Sequence, residues 1–225
     1  MCTQNSSFRL WRVLKSKHHH KGISLVECLV SVAISMMVIT SVISLLLHNA
    51  RVANKSMQRR LLTQNTHSVA QMMKHDLYRA GYGGDYGQSI KISGSEDVFF
   101  IYQDVNTTLI AYAYLSGELG TESAYTNVVY QQDSQYQDML RVCETKLPRV
   151  MSVIEATSFN THFGNTCNTL FDSKQIVVKA FELEMALLPV DSSLFAVLNV
   201  NIITALTVWP EKTTSVSFTI NPRNP

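Results

Sequence analysis

From residue 23 to residue 47 the chain runs 25 residues, all apolar or uncharged polar but one, Glu27. A helix of that length rises about 37 Å, enough to cross a bilayer with some tilt. Helical spacing continues beyond it. Leu62, Val69, Met73 and Leu77 are separated by 7, 4 and 4 residues, which keeps them on one face, and Met72 and Ala80 widen that stripe. No proline interrupts 23–80, and Gly81 supplies a stop. The pattern predicts one long helix over 23–80, about 87 Å if straight, membrane-embedded over 23–47 and amphipathic over 48–80. The remainder, 81–225, reads as β-rich. Runs containing Val, Ile, Tyr, Phe and Thr predict strands at 89–93, 97–104, 108–116, 127–132, 137–144, 150–159, 175–188, 194–209 and 215–221. The segment 175–185 is ambiguous, because Ala180, Glu182, Leu183, Glu184 and Met185 also suit a helix. The predicted fold class is α+β, a long N-terminal helix packed on an antiparallel β-rich domain.

Charge changes this picture at the N-terminus. The chain is +2 overall, but residues 1–22 contain Arg9, Arg12, Lys15, Lys17 and Lys21 and no acid. Subtracting those five from 19 basic residues leaves 14 against 17 acids, or −3 for the rest. The basic balance therefore belongs to a short leader, not to a nucleic-acid-binding domain. It also places the N-terminus on the cytoplasmic side, although Arg51, Lys55, Arg59 and Arg60 after the span weaken the bias. A cleavable secretory signal has a shorter apolar core followed by a small-residue junction. Here the small residue, Gly22, precedes the run.

Lys21-Gly22 followed by Ile23-Ser24-Leu25-Val26-Glu27 resembles the class III signal of type IV prepilins and type II secretion pseudopilins. Further on, Asp76-Leu77-Tyr78-Arg79-Ala80-Gly81-Tyr82 is similar to the D-L-R-x-A-G-[YF] segment of PilW-group minor pilins, which include the prepilin peptidase-dependent B proteins. The resemblance implies cleavage between Gly22 and Ile23 by a membrane prepilin peptidase and N-methylation of Ile23. It implies that Glu27, fifth in the mature chain, pairs with the amino terminus of a neighbouring subunit. Either charge alone is costly in lipid, whereas the pair attract strongly there. The alternative for Glu27 is a plain anchor whose carboxylate snorkels to the interface.

The function so implied is that of a minor type IV pilin joining a priming or tip complex. Its partners would be prepilin peptidase, other minor and major pilins, and inner-membrane lipid, with the C-terminal domain periplasmic. A minor pseudopilin of type II secretion shares the signal and much of the fold. A single-pass periplasmic binding module is the reading from a different class.

Other chemistry is sparse. Cys143 and Cys167 lie together in the distal domain, an arrangement that favours a disulfide in an exported chain, with two buried free thiols as the alternative. The stripe Arg51, Lys55, Arg59 reads as a solvated face or one near lipid phosphates; DNA contact is disfavoured, because no aromatic platform accompanies it. The glycine-rich stretch 81–87 follows a helix and leads into strands, the wrong order for a phosphate loop. His67 and His75 lack metal-binding companions, and Asp133, Ser134 and Asp138 read as a polar turn, not a calcium loop. No G-x-S-x-G, H-E-x-x-H or C-x-x-C motif is present, so no cofactor, metal or catalytic role is expected.

Overall fold

The computed structural model describes residues 24–84, 88–132, 135–164, 166–190 and 193–222. The predicted cleavage junction, Gly22-Ile23, lies outside them, as do Asp133 and Ser134. The chain separates into two compact units, Met1–Ala53 and Asn54–Pro225. Helix α1, Leu25–Leu77, contributes to both. Its residues up to Arg60 are exposed; from Leu62 onward one face is buried, through Leu62, Thr66, Val69, Ala70, Met73 and Leu77. Met72, expected in that stripe, is 42% exposed. Thr66, a polar residue on the buried face, satisfies its hydroxyl at Leu62 O (2.8 Å) and Thr204 Oγ1 (2.7 Å).

The helix ends at Leu77, three residues short of the expected Ala80. Beyond it the bonds tighten to i→i+3, with Arg79 N donating to Asp76 O, Ala80 N to Leu77 O and Tyr82 N to Arg79 O. Gly81 (φ 77°) then turns the chain onto the sheet, donating its N–H to Ala113 O at 3.0 Å. At Gly83 (φ 89°) a Cβ would lie 2.3 Å from the Leu115 Cβ, so a side chain is excluded both sterically and conformationally.

Among the described residues, eight strands form two antiparallel sheets. The first has the order β1-β2-β3-β4-β5, from Phe100–Asp104, Thr107–Leu115, Tyr125–Gln132, Arg141–Leu147 and Cys167–Thr169. The second has the order β6-β7-β8, from Ile176–Val190, Ser193–Leu206 and Trp209–Ile220. The sheets are tied by Gln103 Nε2 donating to Leu183 O (2.8 Å) and Val178 N donating to Asp138 O (2.9 Å). The main core joins α1 (Met73, Leu77) to one face of the first sheet (Ile110, Tyr112, Tyr130) and to the second (Phe181, Leu198, Ile202). A second core covers the opposite face of the first sheet, with Leu109, Ala111, Val129 and Cys143 against Ile92, Met151, Ala156 and Phe159. Strand β2 is thus buried on both faces from Leu109 to Tyr114, which is why its sequence lacks apolar–polar alternation.

Several expected strands differ. The segment 150–159 is not a strand but enters two short helices, α2 (Val153–Thr157) and α3 (Phe159–Phe163). Ser152 and Glu155 form a complete capping box there. Residues 89–93 form no ladder; Ser93 makes an isolated bridge to Ser152 before Gly94 (φ 92°) turns away. Predicted strand 194–209 is divided by the turn Thr207-Val208, so β8 begins at Trp209. Strands 97–104 and 137–144 start later, at Phe100 and Arg141, because a turn closed by Met139 N to Tyr136 O precedes the latter.

Candidate functional site

Within the first unit, the described helix from Leu25 displays its apolar side chains outward. Leu25 is 76% exposed and Met37 71%. An 18-residue window of α1 reaches a mean hydropathy of 2.4 with none of it buried. One contiguous apolar surface of this kind marks a membrane or interaction segment. Four of its hydroxyls are satisfied by the helix itself: Ser31 Oγ donates to Glu27 O (2.7 Å), Ser35 Oγ to Ser31 O (2.7 Å), Thr40 Oγ1 to Met36 O (3.0 Å) and Ser41 Oγ to Met37 O (2.8 Å). Such back-bonding pairs those four hydroxyl hydrogens in an apolar solvent. Glu27 lies in the first turn of α1, where an acid complements the helix dipole, and it is exposed. The arrangement supports insertion and offers one carboxylate for a charge outside the subunit.

In the second unit, the motif beginning at Asp76 fastens the end of α1 to the first sheet. Asp76 accepts from the Tyr130 hydroxyl (Oδ2, 2.8 Å) and pairs with Arg79 through Oδ1. The Arg79 guanidinium stands 5.0 Å from the Tyr114 ring centroid, a cation–π contact. Leu77 and Ala80, beside these residues in the chain, are buried in the main core. Burial, reinforced by the Asp76 charge, pushes the Tyr130 phenol far up, so it remains a donor. Burial also raises Tyr112 well above its ordinary range. The sequence motif named Asp76 and Arg79; it did not name Tyr114 and Tyr130, which reach them from β2 and β3.

Cys143 and Cys167 are joined in a disulfide, their Cα atoms 4.1 Å apart as register partners of β4 and β5. Arg51, Lys55 and Arg59 are exposed, and Lys55 and Arg59 also line a cavity with Trp209, Glu211 and Lys212. His67 and His75 are exposed. Among the described residues no group of three or more His, Cys, Asp or Glu could hold a metal.

The sequence model of the family described as prepilin peptidase-dependent protein B matches residues 55–222. No curated protein and no solved structure matches the chain. The matched stretch lies wholly C-terminal to Gly22 and Glu27, so the N-terminal signal and the family match come from different parts of the chain.

Proposed function

The chain belongs to the prepilin peptidase-dependent protein B family, and on that premise we propose that it is a minor type IV pilin. In this reading prepilin peptidase cuts between Gly22 and Ile23 and methylates Ile23. The apolar helix holds the subunit in the inner membrane with its C-terminal domain periplasmic, until it joins other pilins in a priming or tip complex. Its role is structural, without catalysis. The observation that carries the reading is Glu27, a single carboxylate in the first turn of an exposed apolar helix. Left alone in lipid it is costly; beside a neighbour's free amino terminus it becomes a directed contact.

Glu27→Gln tests this. The variant should insert and be cleaved normally, because a charge costly in lipid has been removed. It should recover fewer partner pilins on co-purification and crosslinking, and give fewer fibres. Unchanged recovery together with unchanged fibre number would defeat the assembly role.

A further inference from the structure

We infer that the cavity between α1 and the start of β8 is a docking site for an anionic phospholipid headgroup, used while the subunit resides in the membrane. Lys55, Arg59, Trp209, Glu211 and Lys212 line a cavity of about 150 Å³. A space of that size has room for a phosphate group and too little for an element of a folded partner. The Lys55 Nζ lies 5.9 Å from the centroid of the half-buried Trp209 ring. Arg60 adjoins, sharing a shallower depression with Arg59. Three cations therefore line the cavity with one carboxylate, Glu211, and Arg60 is a fourth nearby. Among the described residues none of the four forms an ion pair.

Two further features select a lipid surface. Val208, in the turn preceding Trp209, is 68% exposed. An aromatic ring and an apolar turn tip beside several cations match the water–hydrocarbon interface, which supplies an anion and apolar contact together. The chain also fixes a maximum distance. Lys55 follows Leu47 by eight residues, so the cavity is tethered within about 29 Å of the end of the apolar run, however those residues run. At that range a phosphodiester is always present at high local concentration.

The inference rests on the membrane-anchored reading, so the test scores anchorage separately. The full chain carrying Trp11→Phe, which leaves Trp209 as the sole indole, is reconstituted in phosphatidylcholine bilayers with a rising fraction of phosphatidylglycerol. Nitroxide-headgroup versions of either lipid serve as quenchers. Trp209 fluorescence should be quenched saturably by the anionic lipid and weakly by the zwitterionic one. Lys212→Gln should raise the midpoint fraction about fivefold, as expected for one basic residue at an anionic surface. Glu211→Gln, a change of opposite sign, should lower it, and Arg59→Lys should keep it near wild type. Circular dichroism verifies that each variant is folded. Equal quenching by both lipids, or midpoints indifferent to Lys212 and Glu211, would overturn the lipid site. Charge-independent quenching combined with loss of partner pilins in Arg59→Gln would assign the cavity to an acidic protein surface instead. Flotation with vesicles of both compositions reports the anchor itself, and its failure would count against the membrane reading.

Discussion

Glu155 gathers four donor contacts. Its Oε2 accepts from Ser152 N (2.7 Å), Ser152 Oγ (3.1 Å) and Arg149 (2.8 Å), and its Oε1 accepts from Arg149 (2.6 Å). Arg149, with the Ser152 N–H next, holds the carboxyl down to about 2, against an ordinary value of 4.5. A depressed folded pKa contributes stability that is complete above the unfolded value and disappears as pH falls through the folded one. Glu155→Gln should therefore cost about 1 kcal/mol near neutrality through the weakened cap. The gap between wild type and variant in urea midpoint should stay flat down to about pH 5 and shrink from 4.5 towards 2. An equal gap at both ends of that range would refute the assignment. The S-x-x-E signature was there in Ser152-Val153-Ile154-Glu155, but Val and Ile favour a strand by local preference, and the capping box prevails. Two neighbouring tyrosines make a contrasting pair. Tyr130→Phe removes a hydrogen bond to a charged group and should destabilise by about 2 kcal/mol. The Tyr112 hydroxyl is buried without a partner among the described residues, so Tyr112→Phe should be neutral or stabilising in the same denaturation assay.

At the level of elements, β5 has only three residues and pairs only with β4, where Cys143 opposes Cys167. The disulfide closes the excursion through α2 and α3, and on the chain-entropy view contributes about 3.5 kcal/mol. Replacing both cysteines with serine should lower stability by up to that amount and speed amide exchange at 167–169 more than in β2. Unaltered exchange in β5 would mean that the ladder holds without the bond. Nothing in the sequence announced β5, since Cys-Asn-Thr has no strand pattern of its own and depends on its partner. Strand β6 was ambiguous for a different reason: Ala180, Glu182, Leu183, Glu184 and Met185 also suit a helix, and pairing with β7 overrides that local preference. A register shift between Val178 and Ala180 leaves Val178 and Phe181, three apart, both buried. By contrast the buried stripe of α1 was legible, because Leu62, Val69, Met73 and Leu77 keep the helical period over four turns. The Asp76–Arg79 clamp was legible only as a motif; its tyrosine partners are brought to it by sheet register.

For the whole molecule, the two units carry different parts of the function. The first supplies an apolar helix with one acid; the second supplies a disulfide-stapled α+β domain matched by the family model over most of its length. Prepilin peptidase is expected to cut the chain between Gly22 and Ile23, and one measurement addresses that cleavage directly. Intact mass and N-terminal peptide analysis of the full chain, extracted from membranes of a host with active prepilin peptidase, should show a polypeptide beginning at Ile23 with an added methyl group. Peptidase-deficient membranes should yield the uncut chain, and Gly22→Leu should stay uncut in either host. A chain that retains its first 22 residues beside an active peptidase would contradict the account.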